Sequence, residues 1–190
     1  MRYYEIRKNP VYVDGKILGI VGMVDDITPR MRMEKELEQL SYRDSLTGLY
    51  NRRYLDVKGQ QFVNKAAGPL TVIMADCNYL KHTNDTYGHE YGDLLLKRVA
   101  RIIRDALPAS SIVLRIGGDE FLLLCPGCSA AQAQALLADI RARFAREGDD
   151  RIPLSVAFGC CTQAQAPFSL REAYHSADRA MYLDKHRTKK

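Results

Sequence analysis

A turn of two glycines and two acids, set between two apolar runs, limits how this 190-residue chain can fold. The apolar runs cover residues 112–116 and 121–124, and the turn between them is Gly117–Glu120. Short apolar runs joined through glycine are typical of a β-hairpin. The pattern therefore predicts two neighbouring strands of a sheet, with the carboxylates of Asp119 and Glu120 at the tip between them.

Strands and helices alternate through the chain from Asp44 onward, which predicts one α/β domain. Residues 70–75 form an apolar run with the length of a buried strand, and residues 152–160 form another. Ser169 is a candidate helix cap. Apolar positions that recur every three or four residues predict three helices, at residues 93–107, 130–146 and 169–185.

The first 28 residues carry strand signals and no helix signal. Asp14 and Gly15 stand between two apolar runs, which strongly favours a tight β-hairpin. Two or three strands cannot enclose a core by themselves. This segment should therefore pack on something else or be part of a larger domain.

A helix is predicted over residues 29–42. Met33, Leu37 and Leu40 follow one another at spacings of four and three residues, which is a heptad pattern. Two interpretations remain open. The helix is either a coiled coil between paired protomers or an amphipathic helix that packs on its own domain.

Composition and charge exclude several classes of protein. No apolar run reaches the length of about 18 residues that a membrane helix needs, and the N-terminus lacks the apolar core of a signal peptide. We therefore expect a cytoplasmic protein with no membrane association in this part of the chain. The net charge of +5 suits nucleotides, but an ordinary basic surface explains it equally well.

The cysteines do not predict a disulfide framework, because their number, five, is odd. Cys125 and Cys128 have the spacing of a redox pair. No second Cys/His pair completes a zinc set with them. We therefore assign no redox or metal role to this pair. Cys160 and Cys161 end an apolar run and are interpreted as small core residues.

Three acidic side chains are candidates for a metal site. Asp76 directly follows the apolar run at residues 70–75, and Asp119 and Glu120 lie at the hairpin tip. If these strands are neighbours in one sheet, the carboxylates converge, and like charges this close require a cation. Oxygen ligands favour Mg²⁺, with Mn²⁺ as the alternative, and such an ion is typical of chemistry at a phosphate.

Five segments in a fixed order resemble the motifs of one enzyme family. The segments are Asp44–Arg53, Asp76–Asp85, Tyr87–Asp93, Gly117–Phe121 and Ala177–Lys185. The fourth segment, Gly-Gly-Asp-Glu-Phe, is the motif after which the GGDEF family of diguanylate cyclases is named. The resemblance implies an α/β (α+β) fold: a central, mainly antiparallel five-stranded sheet flanked by helices, similar to the palm of nucleotidyl cyclases and polymerases.

The resemblance also implies roles in metal binding and catalysis. Asp76 would bind Mg²⁺ through its carboxylate and Cys77 through its backbone carbonyl. Asp119 would be both a ligand and a candidate general base for the 3′-hydroxyl of GTP, and Glu120 would complete the metal shell. Lys81 would neutralise phosphate charge in the transition state.

Substrate contacts follow from the same resemblance. Asn84 and Asp93 would hydrogen-bond the guanine edge, and Asp93 would favour GTP over ATP because guanine presents N1–H and N2–H₂ as a donor pair. Lys185 would neutralise the leaving pyrophosphate. Lys189 replaces an arginine that is usual in the family, which keeps the charge and loses the bidentate fork. The other residues predicted to bind substrate are Asn78, Gly117 and Gly118.

The implied reaction is attack of the 3′-oxygen of one GTP on the α-phosphorus of another, performed twice to give cyclic di-GMP. One domain of this family holds one GTP, so the enzyme would be a homodimer at least transiently. The alternative is a catalytically silent GGDEF domain that binds GTP or a partner protein. We expect no nucleic-acid partner, because aromatic residues are few and nothing resembles a template channel.

Regulation and domain organisation follow from further likenesses. Pro108–Ser111 stand where many family members carry an Arg-x-x-Asp site for product, so we expect no product inhibition through that site. Residues 15–28 resemble the last strands and the exit motif of a PAS sensor domain. We therefore expect PAS-like C-terminal strands without a ligand at 1–28, a linker helix at 29–42 and the GGDEF domain at 43–190, with an upstream sensor domain as partner.

Three smaller expectations complete the comparison with the family. Leu80 stands where phenylalanine is usual and should still fill an apolar position. His89 and the segment Asp44–Arg53 are assigned to structure, through helix capping, salt bridges and loop anchoring.

Overall fold

The computed structural model describes residues 2–149 and 151–188, and the chain divides into two compact units. Residues 1–41 form the first unit and residues 42–190 form the second. Among the described residues, no helix combines the length and the apolar character that crossing a membrane requires.

The first unit consists of a β-hairpin followed by a helix. Strands β1 (Tyr4–Val13) and β2 (Lys16–Asp26) pair antiparallel, and Asp14 and Gly15 form the turn with φ angles of 48° and 74°. Helix α1 (Thr28–Leu40) begins where the Asp26 side chain accepts a hydrogen bond from the Thr28 backbone N–H at 2.9 Å. The predicted hairpin and helix are confirmed, with slightly different helix bounds.

The second unit is built on one five-stranded sheet. The strand order is β3-β5-β6-β4-β7, in which β3 and β5 are parallel and every other neighbouring pair is antiparallel. This confirms the predicted fold. The elements are β3 (Tyr50–Asn51), α2 (Arg52–Tyr54), a π-helical segment (Leu55–Gly59), α3 (Gln60–Val63), β4 (Leu70–Cys77), α4 (Leu80–Tyr87), α5 (His89–Ala106), β5 (Ile112–Arg115), β6 (Glu120–Pro126), α6 (Ala130–Glu147), β7 (Val156–Gln163) and α7 (Leu170–Thr188).

Strand β4 separates two apolar layers, because successive side chains of a strand point to opposite faces of the sheet. Ile73 and Ala75 pack in a buried cluster with residues of α5 and α6. Val72 and Met74 pack in a second cluster with residues of α7. The end of β4, where Asp76 lies, is therefore held from both sides by buried apolar packing.

Two elements begin four residues away from their predicted starts. Helix α5 begins at His89, four residues before the predicted start, because Gly88 with a φ of 90° makes the turn between α4 and α5. Strand β7 begins at Val156 rather than at position 152 and continues to Gln163. Pro153 explains the late start, since proline has no N–H to donate to a neighbouring strand.

The cysteines carry no disulfide: all five are free thiols, as the odd number predicts. Burial raises the pKa of the Cys125 thiol to about 12. Burial also raises the pKa of Cys128. A thiol with a raised pKa stays protonated at neutral pH and is a poor nucleophile.

Candidate active site

The antiparallel pairing of β4 and β6 brings two predicted metal ligands together. The register runs from Leu70 opposite Pro126 to Asp76 opposite Glu120. Directly opposed residues of antiparallel strands have their Cα atoms about 4.5–5.5 Å apart and point their side chains to the same face. Asp76 and Glu120 are therefore neighbours at the end of the sheet, and Asp76 is only 5% exposed.

Backbone hydrogen bonds hold the hairpin tip against the end of β4. The N–H of Ile116 donates to the carbonyl of Glu120 at 3.0 Å, and the N–H of Cys77 donates to the carbonyl of Asp119 at 2.9 Å. A Cβ at Gly117 would lie 2.7 Å from the Glu120 carboxylate, closer than real side chains allow. Glycine at position 117 therefore permits the observed direction of the Glu120 side chain.

Gly118 leaves open space at the hairpin tip. No heavy atom lies within 4 Å of the position that a Cβ would occupy there. Backbone N–H groups at such a turn can approach an anionic ligand closely. The structure thus leaves room for the predicted phosphate contact at this residue.

The pKa of Glu120 shows that acidic groups crowd the end of the sheet. Burial raises the pKa of Glu120, the charges of Asp119, Asp76 and Asp178 raise it further, and Lys185 lowers it. A cation relieves repulsion of this kind. Carboxylate and backbone oxygens are ligands that suit Mg²⁺ or Mn²⁺, so the residues present fit a hard divalent ion.

Lys185 already contacts one of the predicted metal ligands. Its Nζ donates to Oδ2 of Asp76 at 2.6 Å, and the two side chains are 28% and 6% exposed. Within residues 2–149 and 151–188, no three His, Cys, Asp or Glu side chains are positioned to hold a metal ion. At Asp76 the Lys185 ammonium group supplies positive charge, as a divalent ion bound there would.

Cys77 follows Asp76 directly and is the last residue of β4. Burial raises the pKa of the Cys77 thiol, and the nearby charges of Asp119 and Asp76 add to the effect. A neutral thiol is a poor ligand for a hard cation, so the backbone carbonyl is the group of Cys77 that suits the predicted role.

Asn78 is tied to the loop before β7. Its backbone N–H donates to the carbonyl of Ser155 at 2.8 Å, and its Nδ2 donates to the Ser155 hydroxyl at 3.0 Å. The side-chain oxygen of Asn78 is buried and accepts no hydrogen bond from any described residue. Ser155 thus orients the amide and leaves its carbonyl oxygen without a protein donor.

Helices α4 and α5 bring the two predicted guanine contacts close in space. Asn84 is half-buried on α4, and its backbone carbonyl accepts a hydrogen bond from the N–H of Gly88 at 2.9 Å. Its side-chain amide lies against Gly92 of α5, the residue before Asp93. Asp93 itself is exposed. The turn between the helices therefore brings Asn84 and Asp93, which are nine positions apart in the sequence, close together.

Of the two remaining predicted phosphate contacts, the structure describes only Lys81. Lys81 is exposed in the first turn of α4, after Tyr79, whose φ of 64° turns the chain into that helix. Lys189 lies outside the described residues.

Arg115 is a residue of this region that the sequence did not indicate. Its guanidinium group donates to the carbonyl of Gly118 at 2.8 Å and forms a salt bridge with Asp44 at 3.1 Å. Asp44 in turn accepts hydrogen bonds from the backbone and hydroxyl of Thr47. The contacts anchor the hairpin tip to the start of the domain, in agreement with the structural role expected of the segment at 44–53.

A cavity of about 690 Å³ opens beside the acid cluster, between the sheet end and α7. Asp76, Glu120 and Lys185 line this cavity. Further α7 side chains line this cavity that were not predicted from the sequence. Those side chains are His175, Asp178, Arg179, Met181, Tyr182 and His186.

The chain is similar to proteins named diguanylate cyclases. DgcM of Escherichia coli K12 is 31% identical over 188 residues, which cover 97% of this chain and 45% of DgcM. A diguanylate cyclase of Vibrio cholerae serotype O1 is 30% identical over 194 residues, which cover 97% of this chain and 60% of the relative. The chain thus spans about half the length of these curated relatives.

Solved structures share the architecture. The GGDEF domain of TpbB from Pseudomonas aeruginosa is 31% identical and aligns with a TM-score of 0.68 over 76% of this chain and 89% of that chain. The coiled coil and GGDEF domain of DgcB from Caulobacter crescentus aligns with a TM-score of 0.73 over 83% of this chain and 89% of that chain, and its 24% identity makes this a likeness of fold. The profile of the family described as diguanylate cyclase, GGDEF domain, matches residues 41–190, and the chain therefore belongs to the GGDEF family.

Proposed function

We propose that this GGDEF domain condenses two molecules of GTP into cyclic di-GMP and two pyrophosphates, with Mg²⁺ or Mn²⁺ as cofactor. The observation that carries the proposal is the register that sets Asp76 opposite Glu120, with the backbone of Asp119 bonded to that of Cys77. Degenerate relatives would be expected to lose this acid set. Here it is complete, and the relatives that match over nearly the whole chain are named diguanylate cyclases.

In the proposed reaction, each domain binds one GTP and two domains face each other. The 3′-oxygen of one GTP forms a bond with the α-phosphorus of the other, and the bond from that phosphorus to the bridging oxygen breaks. The pyrophosphate leaves with the bonding electrons, and the proton of the 3′-hydroxyl passes to the carboxylate of Asp119. A second turn of the same chemistry closes the ring.

The side chains around the reacting phosphate act through charge. A bound divalent ion, held by Asp76, Asp119, Glu120 and the carbonyl of Cys77, would offset the charge of the phosphates. Lys81 and Lys185 add positive charge beside the triphosphate, which stabilises the transition state and the leaving group. Lys185 is well suited to this role, because its ammonium group lies at the acid cluster already.

Base selection falls to the α4–α5 turn. Asp93 accepts the two donors of the guanine edge, and Asn84 contacts the same base. Adenine would leave these groups unpaired, and an unpaired polar group costs binding energy. The exposure of Asp93 and the proximity of Asn84 to the same turn support this assignment.

The first unit is proposed to link this domain to an upstream PAS-like sensor. The apolar side chains Ile17, Ile20 and Val24 of β2 are more than 60% exposed in the isolated hairpin, as expected of strands taken from a larger sheet. On α1, Met33, Leu37 and Leu40 are 65%, 59% and 71% exposed. A coiled coil with a second copy would bury this stripe and bring two GGDEF domains together.

Product inhibition through an Arg-x-x-Asp site is proposed to be absent. Residues Pro108–Ser111 form the loop between α5 and β5, and the N–H of Ser111 bonds to the carbonyl of Pro108 at 2.9 Å. This loop offers no charged side chain to a dinucleotide. Turnover should therefore continue as product accumulates, unless another surface binds it.

Chromatography of the nucleotides after incubation with GTP and Mg²⁺ tests the proposed activity. Cyclic di-GMP is expected at high protein concentration, where dimers form, with no cyclic product from ATP or without a divalent ion. Asp119→Asn and Glu120→Gln keep the side-chain shape and should abolish product in a folded protein. A wild-type domain that binds GTP and yields no product would instead be a silent GTP-binding module.

A further inference from the structure

Gly92 is a buried glycine inside an 18-residue helix, α5, where glycine is an unfavourable choice. In a helix interior, glycine costs about 1 kcal/mol relative to alanine, because it loses more backbone entropy on folding. Its φ is not in the left-handed region, so the helix backbone itself would accept alanine. The reason for glycine at this position must lie in what surrounds it.

The surroundings of Gly92 are dominated by Asn84. A Cβ built on Gly92 would overlap the side-chain oxygen of Asn84, lie 2.9 Å from its Cγ, and lie 3.2 Å from a methyl carbon of Leu80. The Asn84 backbone cannot retreat easily, because it belongs to α4 and its carbonyl bonds to the N–H of Gly88. Its side chain can rotate, so a methyl group at position 92 would displace the amide rather than the helix.

We propose that Gly92 is a positioning residue for base recognition: it leaves the space in which Asn84 holds its amide beside Asp93. The proposal rests on the proposed function, in which these two side chains read guanine. Gly92 touches no part of the base. It acts through Asn84, and it exchanges helix stability for a fixed direction of that amide.

Replacing Gly92 by alanine should therefore weaken nucleotide binding without lowering the stability of the protein. Gly92→Ala should weaken the binding of a non-hydrolysable GTP analogue about tenfold, the scale of a lost hydrogen-bonding partner. The preference for this analogue over the matching ATP analogue should fall with it. The melting temperature without nucleotide should stay the same or rise, since alanine is the better helix former.

A double-mutant cycle in isothermal titration calorimetry tests the proposal, with Asn84→Ala as the matched background. Once the amide is removed, Gly92→Ala should change the dissociation constant by less than twofold. Equal weakening by Gly92→Ala in both backgrounds overturns the positioning role, as does unchanged binding in the single variant. If Asn84→Ala alone leaves GTP binding unchanged, the guanine assignment in the proposed function fails instead.

The cycle also covers the case in which Gly92→Ala does not fold. The double variant should then fold, because it lacks the amide that the new methyl group overlaps. If the double variant is unfolded as well, the folding defect arises from Leu80 or from the helix, and the proposal is overturned.

Discussion

Replacing Lys185 by methionine removes the cation that the carboxylate of Asp76 contacts at 2.6 Å. Removing one partner of a buried ion pair costs about 3–5 kcal/mol, because the other charge stays buried and uncompensated. The Lys185 side chain is 28% exposed, so the lower end of this range applies, about 3 kcal/mol. For a domain of this size that corresponds to a fall in melting temperature of roughly 6–12 °C.

Magnesium should reverse most of this loss. In the wild-type protein the ion competes with the Lys185 ammonium group at Asp76, whereas in Lys185→Met that competitor is absent. Nucleotide-free thermal denaturation at increasing Mg²⁺ should therefore show a larger stabilisation, and half-saturation at lower Mg²⁺, in the variant. GTP binding should weaken, because the same ammonium group serves the triphosphate.

Arg179→Met is the matched control for this experiment, because Arg179 lines the same cavity and its replacement by methionine also removes one positive charge. It should reproduce only the general electrostatic effect, a small shift in Mg²⁺ affinity without a fall in melting temperature. If Lys185→Met melts like the wild type without metal, or if both variants respond to Mg²⁺ equally, the Lys185 ammonium group does not compete with the ion at Asp76.

Three further outcomes follow from the same structure. A Cβ at Gly159 would overlap the backbone N–H of Met181, so Gly159→Ala should lower the free energy of unfolding in urea by about 3 kcal/mol or more; a loss below about 1 kcal/mol would contradict the packing. Burial disfavours the charged form of Asp44, but its hydrogen bonds, including that from Arg115, outweigh burial and lower the pKa of Asp44. Asp44→Asn should therefore lower the free energy of unfolding by about 1 kcal/mol at pH 7, and by progressively less as the pH falls below about 4. A difference in stability that does not change with pH would contradict this. Asp93→Ala should weaken GTP binding by about 1–3 kcal/mol, and an unchanged dissociation constant in calorimetry would remove Asp93 from the base pocket.

The strands that carry the acid cluster could be predicted from local pattern alone. The apolar run before Asp76 and the two runs around Gly117–Glu120 have strand length and sharp boundaries. Their adjacency could not be derived from periodicity, which does not specify strand order. That information came from the resemblance to the GGDEF family, and the pairing of β4 with β6 confirms it.

Contacts between residues that are far apart in the chain could not be predicted from the sequence. Arg115 and Asp44 are 71 positions apart, and no local pattern couples them. The ion pair of Lys185 with Asp76 spans 109 positions. A glycine inside a helix indicates a special environment, but it does not show which residue lies next to it. That Gly92 makes room for Asn84 is therefore evident only from the packing of α4 against α5.

A crystal structure with Mg²⁺ and a non-hydrolysable GTP analogue would show whether the acid cluster binds a metal ion. We expect metal density about 2.1 Å from carboxylate oxygens of Asp76 and Glu120, with Lys185 moved from Asp76 to the phosphates. If Lys185 still contacts Asp76 at saturating nucleotide and metal, and no ion lies between the carboxylates of Asp76 and Glu120, the proposed metal site is wrong.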